Sequence, residues 1–186
     1  SAKIINQNLL SFLLSKTKLI QFLGAAGSGK STLATELFSF MKKKGINCEY
    51  VSEYAKDLVW DEKEDILEFN QLLVSGNQFE RFRRLNYKVD YIITDTSLLL
   101  GAIYEDKVPY LKEVLFYYYQ QFYNEVFFLT RRNENEFSTI GRRVQTWGEN
   151  GEIEEKILKF LKDNYIKYKV IGTENRLEIV LKELNV

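Results

Sequence analysis

Residues 19–32 read LIQFLGAAGSGKST, and this stretch decides the fold. Residues 19–23 (LIQFL) form a short apolar run of the kind that becomes a buried strand, and the run stops at Gly24. Gly24-Ala25-Ala26-Gly27-Ser28-Gly29-Lys30-Ser31 then fits the pattern G-x-x-x-x-G-K-[ST], with Thr32 following. Residues 31–44 place Leu33, Leu37, Phe40 and Met41 at helical spacing, and Gly45 stands just beyond as a stop. Strand, glycine loop and helix therefore follow one another directly, as a phosphate cradle requires. The glycines allow torsions and a close backbone approach that a side chain forbids, so successive N–H groups can converge on phosphate oxygens at a positive helix terminus. Lys30 adds a mobile point charge for the outer phosphates, and the Ser31 hydroxyl is placed to coordinate Mg²⁺.

Working outward, short apolar runs alternate with helical patterns. Residues 48–52 (CEYVS), 90–95 (DYIITD), 125–130 (EVFFLT) and 167–171 (KYKVI) read as four further strands. This alternation predicts an α/β fold, a mainly parallel five-stranded sheet with helices on both faces and ligands at the carboxyl ends of the strands. One proline, 10 glycines and no repeat leave no place for a linker, so residues 1–186 read as one domain with residues 1–16 as a short helix or arm. The acidic run over residues 57–68 reads as a solvated helix face.

Composition excludes other classes. Lys plus Arg and Asp plus Glu both count 26, so no global field favours a polyanion or an anionic membrane. One cysteine and no histidine exclude an internal disulfide, a four-ligand zinc cluster and a histidine-based triad. The apolar run over residues 9–14 is too short to span a bilayer and lacks a small-residue cleavage site, which predicts a soluble, cytoplasmic protein.

Three further places carry chemistry. Asp95 ends an apolar strand and is the natural carboxylate for the metal's water shell; the alternative is a cap for the following helix through Thr96 and Ser97, and the two roles are compatible. Glu53 follows the second strand on the same rim as the loop, which suits a general base, and Tyr54 beside it can stack on a base ring. The alternative for Glu53 is a surface acid paired with Lys56. Finally, residues 131–151 carry Arg131, Arg132, Arg142 and Arg143, with Gly141 and Gly148 bracketing the second pair. That spacing predicts a lid whose Arg142 and Arg143 stabilise a transferring phosphoryl group; ordinary solvated helix arginines are the alternative.

The order of these features resembles the ribosylnicotinamide kinase-like group of P-loop ATPases, small nucleoside kinases that include bacteriophage members. The resemblance rests on the loop from Gly24 to Thr32, the Glu53-Tyr54 pair, the helix containing Gln78, the strand ending at Asp95 and the arginine-bearing segment through Arg142. It implies a P-loop NTPase fold, and roles around acceptor and metal for Glu53 and Asp95. Lys56 stands where an arginine is expected, and Thr96-Ser97 stands where related kinases often have a second acid. The expected activity is therefore Mg²⁺-dependent phosphoryl transfer from ATP to a nucleoside-like or nucleotide-like small molecule. A polynucleotide kinase acting on modified-base DNA, and a nucleotide-driven switch acting on a protein partner, are the alternatives.

Overall fold

In the computed structural model, residues 17–105, 108, 110–131 and 147–186 are described. Five strands form one sheet: β1 (Lys18–Leu23), β2 (Cys48–Val51), β3 (Tyr91–Thr94), β4 (Tyr123–Leu129) and β5 (Lys169–Ile171). Their order is β2-β3-β1-β4-β5, and every neighbouring pair is parallel. The expected α/β architecture is thus the observed one. The boundaries differ slightly: β4 starts two residues earlier than its apolar run, because Tyr123 pairs with Lys18, and β5 keeps only Lys169–Ile171 against β4.

The central place of β1 follows from its sequence. Both of its faces are covered, so it carries a nearly continuous apolar run rather than a polar alternation. Ile20 and Phe22 pack with Leu33, Leu37 and Met41 of α1 (Lys30–Lys43) and with Val180 and Leu184 of α8 (Arg176–Leu184). Leu23 points to the opposite layer, with Leu99 and Ile103 of α5 (Leu99–Tyr104) and Ile157 and Leu161 of α7 (Trp147–Asp163). Leu19 meets Phe82 of α4 (Gln71–Arg83) in that same layer. Full burial of one such side chain contributes about 1.5–3 kcal/mol, so β1 anchors both helical layers. Gln21 is the polar exception; its Nε2 donates to Asn124 Oδ1 at 2.8 Å.

Three more helices complete the described chain: α2 (Tyr54–Trp60), α3 (Glu64–Phe69) and α6 (Leu111–Tyr119). The acidic run lies on α2, α3 and their connection, with most of its carboxylates exposed as expected. Trp60 is 69% exposed and so is not a core residue. The chain leaving β1 runs to β2 at one edge, whereas the chain leaving its neighbour β3 crosses to β4 on the other side of β1, which opens a crevice at their carboxyl ends. No helix among the described residues is long and apolar enough to cross a membrane.

Candidate active site

The crevice beyond β1 holds the glycine loop. Gly29 precedes α1 with φ 90°, a left-handed conformation that a residue with a Cβ adopts at a cost. Gly24 has φ 146°, and a Cβ there would lie 2.6 Å from the Leu129 carbonyl oxygen. These two glycines let the chain leave the strand and enter the helix through a tight turn. The loop is also braced from behind. Arg176, largely buried at the start of α8, donates to the carbonyls of Ser28, Thr130 (2.8 Å) and Gly172 (2.5 Å). Asn150 Nδ2 of α7 donates to Ala26 O at 3.3 Å.

Lys30 Nζ donates to Gly24 O and Ala25 O at 2.9 and 2.8 Å, so the ammonium lies back over the loop. Ser31 Oγ donates to Asp95 Oδ2 at 2.5 Å. Asp95 is fully buried, and its other oxygen accepts from Glu53 N at 3.2 Å. Lys56 completes the cluster: its Nζ donates to Ser31 Oγ at 2.6 Å and forms an ion pair with Asp95 Oδ2. Burial alone disfavours the Asp95 carboxylate, but the charge and hydrogen bond of Lys56, the Ser31 hydroxyl and the charge of Lys30 outweigh it. The carboxyl is held below its usual range. Tyr50 on β2 titrates well above an ordinary phenol, first through burial and then through the adjacent Asp95 and Glu53 charges.

A cleft of about 180 Å³ runs from this loop into a pocket between α2, α4 and α5. Gly24, Ala26, Gly27, Gly29, Lys30, Ser31 and Thr32 line one end, and Glu53 and Lys56 stand on the rim. Gln71, Val74, Ser75, Gln78, Leu100 and Tyr104 are among the residues that line the other. Glu53 therefore lines one cleft with the glycine loop and with a mostly apolar pocket that has a few amides and hydroxyls, a common form for a small-molecule site.

The cluster unites Lys30, Ser31, Asp95 and Glu53, which the sequence separates. Lys56 pairs with Asp95, so the surface pair between Glu53 and Lys56 is not the arrangement found. Asp95 does not cap α5: the N-cap residue is Leu98, with no side-chain cap, and Ser97 Oγ accepts from Leu99 N at 3.2 Å. The Asp95 oxygens are taken by Ser31, Lys56 and Glu53 N. Tyr54 does not line the cleft: its N donates to Gln78 Oε1 at 2.7 Å, and its ring carries the Arg81 guanidinium at 5.0 Å. Arg81 itself is held by Asp57 and by Ser52. Arg131 pairs with Glu154 of α7 at 2.6 Å. Arg142 and Arg143, with most of the anticipated lid, lie outside the described residues, as do residues 1–16.

Sequence reading missed the position of Lys56, the inward face of α4 formed by Gln71, Ser75 and Gln78, and the brace from Arg176. A buried glutamine or serine at helical spacing was the available signal for α4; nothing local marks the other two.

A Mg²⁺ ion fits this donor set. Ser31 Oγ and Asp95 Oδ2 are two hard oxygens in contact beside the loop, and a cation, the Lys56 ammonium, already sits on both. No group of three or more acidic or cysteine side chains gathers among the described residues, so the protein supplies only part of such an ion's shell.

Comparison with known proteins follows the same lines. Two solved structures of deoxyadenosine kinase from M. mycoides share the fold. One, with bound dATP, aligns with a TM-score of 0.59 at 19% identity over 90% of this chain and 99% of that one. The other, with bound dCTP, gives 0.60 at 16% identity over 90% and 98%. The sheet is thus that of the P-loop NTPase fold. No protein of curated function matches the sequence significantly. The chain belongs to the AAA domain family, whose pattern matches residues 19–177.

Proposed function

We propose that this member of the AAA domain family is a kinase that transfers the terminal phosphoryl group of ATP, with Mg²⁺, to a nucleoside-like acceptor. The observation that carries the reading is the continuity of the cleft, one space lined by the glycine loop, Glu53 and the residues of the α4–α5 pocket. The likeness to deoxyadenosine kinases, one holding dATP and one dCTP, supports it. The narrower resemblance to ribosylnicotinamide kinase-like proteins belongs to the same reading and is not needed for it.

In this reading the amides from Gly24 to Thr32 hold the phosphates and Lys30 turns from the loop carbonyls to the outer ones. Ser31 and Asp95 would hold Mg²⁺, which when bound neutralises charge on the outer phosphates. The acceptor hydroxyl attacks the γ-phosphorus in line, the bond from that phosphorus to the ADP oxygen breaks, and the hydroxyl proton passes to Glu53. Tyr54 serves the pocket from behind, fixing Gln78 and supporting Arg81. Arg142 and Arg143 enter from sequence alone, as cations for the charge spread over the migrating group.

Among the described residues, those lining the α4–α5 half of the cleft include no Asp, Glu, Lys or Arg. This favours an uncharged nucleoside over a nucleotide, whose phosphate would need a cation there. The test is ADP release measured with a panel of nucleosides, nucleoside monophosphates and 5′-hydroxyl DNA. Acceleration by nucleosides, with a phosphorylated product seen by mass spectrometry, is expected. A rate indifferent to every acceptor would instead fit the nucleotide-driven switch, and salt-sensitive phosphorylation of DNA would fit a polynucleotide kinase.

A further inference from the structure

The two oxygens best placed for a metal already share one cation. Lys56 Nζ lies 2.6 Å from Ser31 Oγ and is ion-paired with Asp95 Oδ2. A Mg²⁺ ion binds oxygen at about 2.0–2.1 Å, so an ion held by these two atoms would overlap the ammonium and repel it. Only one cation can use the pair at a time.

We propose that Lys56 is a built-in counter-cation of the metal subsite, which excludes a divalent ion on its own and yields only to the ion together with a polyphosphate. The inference rests on the reading of Ser31 and Asp95 as metal ligands. Three observations carry it. Asp95 is fully buried and tied to Glu53 N at 3.2 Å, so the carboxylate stays in place whichever cation it holds. The Lys56 side chain is 34% exposed and lines the cleft, so the ammonium can leave along the phosphate path on its flexible stem. No group of three or more acidic or cysteine side chains gathers there among the described residues. A bare ion therefore gains only part of a shell from the protein and must leave Lys56 without its partner. An ion arriving with phosphates brings its own oxygens, and those phosphates give Lys56 a new anion. The device would order binding, keeping the buried carboxylate neutralised at every stage.

Mn²⁺ is a suitable probe, because its free and bound forms are distinguished by electron paramagnetic resonance without turnover. Wild-type protein should bind Mn²⁺ weakly alone and tightly with a nonhydrolysable ATP analogue. Lys56→Met should bind Mn²⁺ alone at least about 10-fold more tightly than wild type, since the buried Asp95 charge then lacks a partner. Its Tm should fall without metal and recover with Mn²⁺, whereas Lys56→Arg should behave as wild type in both measurements. Equal Mn²⁺ affinity in wild type and Lys56→Met, with Mn²⁺ still bound beside the analogue, would overturn the counter-cation and leave the metal reading standing. No Mn²⁺ bound by wild type even with the analogue would overturn both. A measurement on wild type alone guards against a variant that fails to fold: labelling of Lys56 by an amine-reactive ester, read by mass spectrometry. Mn²⁺ alone should leave the labelling rate unchanged and Mn²⁺ with the analogue should change it; an equal change from Mn²⁺ alone would overturn the proposal.

Discussion

Ser31 Oγ and Asp95 Oδ2 lie 2.5 Å apart, although 64 positions separate them in the chain. The parallel register makes the contact: Gln21 of β1 pairs with Thr94 of β3, so the loop leaving one strand and the acid ending the other emerge side by side. The proposed chemistry depends on that meeting, and each part of it can be tested separately.

Lys30→Ala should lower phosphoryl transfer by more than about 10²-fold, since the outer phosphates lose their cation. Stability should fall by about 1–3 kcal/mol, because two part-buried hydrogen bonds to the Gly24 and Ala25 carbonyls are lost. Turnover assays and thermal unfolding of the same sample measure both, and near-normal turnover would refute the assignment.

Asp95 sets an acid dependence. Its carboxyl ionises below the usual range in the folded chain, so the ionised form is bound more strongly folded than unfolded. That stabilisation is complete above the ordinary aspartate pKa of about 4 and is lost as pH falls through the lower folded value. Urea midpoints taken from pH 6 toward pH 3 should therefore drop more steeply for wild type than for Asp95→Asn. Parallel curves would show that Asp95 is not the group concerned. The same substitution should weaken Mg²⁺ dependence more than metal-free nucleotide binding.

Glu53→Gln preserves shape and removes the base. Turnover should fall by roughly 10²-fold or more with little change in ATP affinity, because the carboxylate acts on the acceptor hydroxyl. An effect confined to ATP binding would return Glu53 to the rank of a rim acid.

Gly101 tests the pocket wall. A Cβ there would lie 2.1 Å from Ser75 Oγ and 3.1 Å from Leu115 Cδ1, and both Gly101 and Ser75 line the cleft. Gly101→Ala should destabilise by about 1–3 kcal/mol and raise the acceptor KM more than the ATP KM. Adding Ser75→Ala should restore part of both losses. A single variant with unchanged acceptor kinetics would place the acceptor elsewhere.

The residues from Leu19 to Thr32 announced strand, cradle and helix because every requirement is local: an apolar run, glycines where torsions are unusual, and a lysine and hydroxyl at fixed offsets. The same local logic made the other strands and Asp95 legible, since each sits at the end of a short apolar run. Lys56 was not. Sequence offered Glu53 only as an alternative partner for it, yet the first turn of α2 points the ammonium at Asp95, 39 residues away. The partners of Gln78 and Arg81 likewise follow only from the docking of α4 against the end of β2, where they hold Ser52, Tyr54 and Asp57. Sequence by itself determined the fold class and the phosphate-binding half, because those follow from periodicity and backbone torsion over a few consecutive residues. Tertiary structure alone decided which charges meet and which side chains wall the second pocket. A long side chain can satisfy its charge with any partner within reach, and only the packing of distant elements fixes which partner that is.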